Sequence, residues 1–269
     1  MKKLDSAKDF ARYAIGEVVV IALRDGYVDM PPTRLRHAGD RPFGADLPQQ
    51  VALVDGKLRL SVNAFLIIEG DQHILIDAGA ANAWEPTMGS LLGALGDAGL
   101  AREDIGTVAF THTHEDHING IVAADGSDAF PKLDRLLVPK DEIPLFDKEA
   151  RLARFRQRRS PLENGFKLSP SVTAHQAHGH AVGHTAFEVT NAGESLLIWG
   201  DVVHVPSIQF ARPEVTWEYD ANQAEARSTR ERLMRRASKP SFFVAGAHLD
   251  FPGIGRIAEE DGGYRYIPI

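Results

Sequence analysis

Apolar and polar positions follow two periods along this chain, and the strand period dominates. Glu17-Val18-Val19-Val20-Ile21-Ala22-Leu23 is a continuous apolar run of the kind a buried strand requires, and the Asp25-Gly26 pair behind it reads as a turn. Residues 31–48, rich in proline and polar side chains, read as loop. Val51-Ala52-Leu53-Val54 and Leu58-Arg59-Leu60-Ser61-Val62 flank Asp55-Gly56, which predicts a hairpin. Residues 63–68 and 73–77 continue as strands around Gly70-Asp71. Over 86–95 the spacing turns helical, with Met88, Leu91, Leu92 and Leu95 on one face. Further strands are expected at 107–110, 133–138, 172–177, 186–190, 195–199 and 241–246. A charged helix is expected near 148–159 and a polar one at 222–237. No repeat or linker interrupts the series. The expectation is one layered α/β domain over residues 1–269.

Composition narrows the function more than the fold. Lys and Arg number 30 against 37 Asp and Glu, a formal charge of −7. That is the wrong sign for coating phosphates, so no nucleic-acid partner is expected. The basic stretch Arg151-Leu152-Ala153-Arg154-Phe155-Arg156-Gln157-Arg158-Arg159 reads as a solvated helix face. Cysteine is absent, which excludes disulfides, a thiol nucleophile and thiolate metal sites. No apolar run approaches the ~18 residues of a membrane-spanning helix. The first ten residues have no apolar segment behind their lysines. No membrane partner and a cytoplasmic location are therefore expected.

Chemistry concentrates at Thr111-His112-Thr113-His114-Glu115-Asp116-His117, directly after a strand. Imidazole and carboxylate are the metal ligands left to a chain without cysteine. His112 and His114, two apart in an extended segment, point the same way, and Asp116 and His117 follow as the loop turns. A polar surface loop is the plainer alternative, but packing gives no reason for four ligand-type residues in six positions. Four more histidines, His175, His178, His180 and His184, crowd one later stretch, and spacing alone does not choose among them. His37 and His73 read as surface histidines.

The segment 112–117 resembles the HxHxDH motif of the metallo-β-lactamase-fold superfamily. Further hallmarks follow in order: Gly179-His180-Ala181-Val182-Gly183-His184, Gly200-Asp201 after a strand, and Gly246-Ala247-His248. The resemblance implies a four-layer αββα sandwich and two divalent metal ions, zinc first, with manganese, iron or cobalt as alternatives. It implies that His112, His114 and His180 hold one ion and Asp116, His117 and His248 the other. Asp201 and a hydroxide would bridge them. Asp77 in Ile76-Asp77-Ala78-Gly79 would accept the outer N–H of a ligand histidine, and His184 would play a supporting structural role. Ala181-Val182 departs from the family's Thr-Pro at that place.

Within the superfamily, Ala245 to Ile257, Gly263-Tyr264-Arg265-Tyr266-Ile267-Pro268, Ser207-Ile208-Gln209-Phe210 and Pro86-Thr87-Met88-Gly89 resemble methyl parathion hydrolases. Quorum-quenching lactonases belong to the same wider branch. The expected activity is a dinuclear-metal hydrolase acting on a lactone or carboxylic ester. Phosphotriester hydrolysis is the alternative, and a non-catalytic effector module or a nuclease the remaining ones. Asp116 and His204 are the expected catalytic groups; lactonases of this superfamily often carry a tyrosine at the place of His204. Trp84 and Phe210 are expected to line an apolar substrate pocket. A homodimer is the one protein partnership considered.

Overall fold

The computed structural model describes residues 1–260 and 262–269. Nine strands belong to the first half of the chain: β1 Lys2–Ser6, β2 Phe10–Ile15, β3 Val18–Met30, β4 Leu35–Arg36, β5 Leu58–Glu69, β6 Gln72–Ile76, β7 Thr107–Ala109, β8 Arg135–Pro139 and β9 Arg159–Leu162. All but β4 form one sheet in the order β1-β2-β3-β5-β6-β7-β8-β9. The second half contributes β10 Val172–Gln176, β11 Thr185–Asn191, β12 Glu194–Ile198, β13 Thr216–Trp217, β14 Phe242–Ala245, β15 Ile254–Glu260 and β16 Gly263–Pro268. These make a second sheet, β10-β11-β12-β14-β15-β16, while β13 pairs with β4 in a small ribbon. The helices are α1 Leu91–Asp97, α2 Glu115–Ile118, α3 Ile143–Phe146, α4 Pro206–Gln209 and α5 Gln223–Ala237.

The layers follow from strand alternation. On β5, Phe65 and Ile67 enter a core shared with Phe187, Leu196 and Phe243 of the other sheet. Ala64 and Leu66 face the opposite way, onto Leu95 and Phe146. On β12, Leu196 and Ile198 point between the sheets, and Leu197 points out toward Leu233 and Met234 of α5. Both sheets are thus buried on two faces, which is why their strands read as unbroken apolar runs. The arrangement is the expected αββα sandwich.

Several expectations need correction. Asp25-Gly26 is no turn: β3 runs through it with a register shift against β5 between Arg24 and Gly26. The Asp25 carboxylate accepts N–H bonds from Ala80, Gly89 and Leu91, tying this bulge to the start of α1, and burial pushes its pKa up to about 6. Residues 51–54 form no hairpin strand; Val54 bridges only Lys57, and 58–62 pairs with β3. The helix expected at 86–95 begins only at Leu91. The stretch 148–159 is a 3-10 helix, Ala150–Phe155, leading into β9. Arg154 and Arg158 stay exposed, as a solvated face requires, while donating to the carbonyls of Gly126 and Leu133; Arg151, half-buried, donates to that of Val122. Among the described residues, no helix is long and apolar enough to cross a membrane.

Candidate metal centre

Strands β6, β7 and β8 run parallel, and so do β12 and β14. Parallel strands end together, so the loops after β6, β7, β12 and β14 gather at one rim of the sandwich. Those loops carry Asp77, residues 111–117, Asp201 and His248. The loop between β10 and β11 adds His180.

Four imidazoles are held the same way. His117 donates from Nδ1 to Asp77 Oδ2 at 2.9 Å, and His180 from Nδ1 to Asp220 Oδ1 at 2.8 Å. His248 donates from Nδ1 to the Ser61 carbonyl at 2.8 Å. The Thr111 hydroxyl donates to Asp77 Oδ2, which leaves its oxygen to accept from His112 Nδ1 at 3.0 Å. Each ring therefore keeps its Nε2 lone pair for the interior, the usual support for a metal-bound histidine. These Nε2 atoms converge on Asp201: 3.3 Å for His117 and His180, 3.0 Å for His248 and 3.7 Å for His112. His114 Nδ1 lies 3.1 Å from His180 Nε2. Asp116 is within 3.6 Å of both His117 and His248.

His112 Nε2, His117 Nε2 and Asp201 Oδ1 are buried without a hydrogen-bond partner. Buried polar atoms are rarely left so, and bound divalent metal would supply the missing partners. Among the compact donor groups are His112, His114, His180 and Asp201 in one and Asp116, His117 and His248 in another; His204 joins two more, with His180 and Asp220 and with Asp201 and His248. The donor set suits zinc, manganese, iron or cobalt.

The charges explain one another. Burial opposes protonation of His180, but Asp201 and Asp220 outweigh it and raise its pKa to about 9. Burial likewise opposes protonation of His117 and His248, and Asp201 and Asp116 outweigh it, joined by Asp77 for His117, so both are raised. Burial keeps His114 and His184 neutral, with pKa values near 3. Asp201, despite its own burial, is held far below the usual range by the surrounding imidazoles.

His184 stands outside the donor groups. It donates from Nδ1 to the Ala177 carbonyl and accepts the Asp201 backbone N–H at Nε2, so both its nitrogens are used. A Cβ on Gly200, at φ +54°, would lie 2.8 Å from that Nε2, and only glycine fits there. His204 lies in the centre, buried, with Nε2 3.3 Å from Asp201 Oδ2.

A family model of the metallo-β-lactamase superfamily matches residues 58–248. The chain belongs to that superfamily. It is a metal-dependent hydrolase of that superfamily. The crystal structure of hydrolase AbOPH in the β-lactamase superfamily is 30% identical over 98% of this chain and 99% of that one, with a TM-score of 0.83. AidC, a dizinc quorum-quenching lactonase solved with the product N-hexanoyl-L-homoserine, shares the fold at 22% identity and TM-score 0.85, covering 97% of each chain. A probable metal-dependent hydrolase from Staphylococcus aureus does so at 18% identity and TM-score 0.77, covering 96% of this chain and 99% of its own. A comparison with curated protein sequences returns no match.

In this superfamily member a cavity of about 440 Å³ opens over the donors, with Trp84, Trp217, Tyr219, Leu60 and Met30 as its apolar walls. Phe210 is not among its lining residues. Phe210 is buried between Trp199 and Tyr266 and borders a neighbouring cavity of about 540 Å³ that meets the first at Leu60 and His204. The expectation for Phe210 is corrected accordingly: α4 ends just before it and turns its ring into the core under β16. Sequence reasoning missed Asp220, Thr111 and Trp217. An isolated aspartate or threonine carries no signal until the fold sets it behind an imidazole.

Proposed function

We propose that this hydrolase uses two divalent ions, zinc first, to hydrolyse a small neutral ester, foremost a lactone or carboxylic ester. The observation that carries the reading is two adjoining donor groups beneath a cavity with apolar walls, with Asp201 in one and 3.3 Å from His117 and 3.0 Å from His248 of the other. No lysine or arginine lines that cavity among the described residues, which favours an uncharged substrate over phosphodiesters or carboxylates. That AidC is a dizinc lactonase carrying a homoserine product supports the same reading.

His112, His114 and His180 would hold one ion, Asp116, His117 and His248 the other, with Asp201 between them. Ions held there would supply Lewis acidity toward the ester carbonyl oxygen and a lowered water pKa. Asp116, whose carboxylate lines the cavity, orients the attacking water and takes its proton. His204 faces the ester's leaving oxygen as a donor. Trp84 packs on the acyl or aryl group and excludes water.

The test is a panel of lactones, aryl esters and phosphotriesters on metal-quantified protein. Lactone turnover that exceeds the rest and scales with metal content is the expected result. Preference for phosphotriesters would favour the second reading, which the resemblance of residues 207–210 and 245–257 to methyl parathion hydrolases motivates.

A further inference from the structure

The carboxylate of Glu142 is buried, fully excluded from solvent, at the end of the 3-10 turn that follows β8. Among the described residues no cationic side chain pairs with it. Its partners are Thr113 and Gly183. Oε2 accepts the Thr113 backbone N–H at 3.2 Å and the Thr113 hydroxyl, and Oε1 accepts the Gly183 N–H at 2.8 Å. Thr113 stands between His112 and His114, and Gly183 between His180 and His184. One carboxylate thus ties together the two loops that carry His112, His114 and His180, loops that come from different sheets. None of its hydrogen bonds goes to Asp116, His117 or His248, or to a residue next to them.

The fit is close. A Cβ on Gly183 would lie 2.7 Å from Glu142 Cγ and 3.1 Å from its backbone nitrogen, so the second glycine of the Gly-His-x-x-Gly-His element is required by this approach. Three donors converge on two oxygens, and an amide would turn its NH₂ onto one of them. Burying an unpaired carboxylate costs folding free energy. It does, however, fix the spacing of both loops.

We propose that Glu142 is a positioning residue that sets the geometry of one ion position, that of His112, His114 and His180, and leaves the other alone. The proposal rests on the two-ion reading above.

Stepwise Zn²⁺ affinities of the apoprotein, measured in competition with a chromophoric chelator, test it. His114→Ala identifies the step that belongs to the first position. Glu142→Gln should weaken that step about 10–100-fold, the size of an outer-shell effect, and leave the other within about threefold. Thr113→Val should weaken the same step by less. The Co²⁺-loaded variant should show an altered visible spectrum for that position alone. Unchanged affinities in Glu142→Gln would overturn the proposal. So would an equal fall in both steps with a lower apoprotein Tm, the signature of a merely structural role. Wild-type protein that takes a single ion at the first position sinks the two-ion reading and leaves Glu142 to be judged on that step. Wild-type protein that takes none sinks both.

Discussion

The imidazole of His204 lies flat on the indole of Trp217, with ring centroids 4.9 Å apart and planes 12° from parallel. The stack holds the ring so that one edge meets Asp201 and the open side meets the cavity. Burial lowers its pKa to about 4, which makes it a neutral hydrogen-bond donor at pH 7. His204→Ala should slow lactones and alkyl esters by roughly 10²–10³-fold, the size of one lost transition-state donor. Nitrophenyl esters, whose leaving group needs no donor, should slow far less. Metal analysis completes the test: a variant that loses an ion makes His204 a ligand, as its grouping with Asp201 and His248 allows.

Trp84 and Phe210 should part company. Trp84 is half-buried on the cavity wall, so Trp84→Ala should change the ranking of acyl or aryl substrates while Tm moves little. Phe210 is 2% exposed, and Phe210→Ala should cost about 3–5 kcal/mol of stability with relative rates unchanged. A denaturation curve and a substrate panel on each variant decide both.

The aspartates behind the histidines offer a third test. Asp77→Asn and Asp220→Asn each remove a carboxylate that accepts an imidazole Nδ1–H. Each should weaken metal binding about 10–100-fold. Asp220→Asn should weaken the ion of His180 alone, whereas Asp77→Asn should weaken both, since Asp77 backs His117 directly and His112 through Thr111. Chelator competition followed by elemental analysis reads this directly.

Metal loading should move protons. Without metal, nearby carboxylates raise the pKa of His180 to about 9 and those of His117 and His248 above the usual imidazole value, whereas a bound histidine must be neutral. Loading at pH 7 therefore releases protons, and affinity falls as pH is lowered. Asp201→Ala removes an anion responsible for all three shifts, so it should reduce proton release as well as abolish activity. Zn²⁺ titrations in buffers of different ionisation enthalpy measure the proton count.

The donor residues were legible because unlike ligand types crowd into 112–117 with no packing reason. The two-faced burial of β5 and β12 was legible as unbroken apolar runs. Other features depend on tertiary context. Asp25-Gly26 has turn chemistry, yet the Asp25 carboxylate finds three N–H donors across the structure and the strand continues through it. Arg154 and Arg158 were legible as a solvated face, but sequence gives no hint of the carbonyls they and Arg151 meet. β15 and β16 were missed because their alternation is weak and their residues half-exposed. Asp220 and Glu142 sit in polar runs that read as surface, and only packing makes them buried acceptors.

His248 reaches across the sandwich to the Ser61 carbonyl, a contact between residues 187 positions apart, and it follows a strand that docks beside β12 only after α5 has crossed over. A chain emerging during synthesis therefore displays His112–His117 long before the last donor can arrive. In that interval an ion meets only part of each donor set and is held weakly and reversibly. Closing so long a loop is slow, so full occupancy should lag chain completion, and an abundant wrong metal has its best chance of capture during that delay.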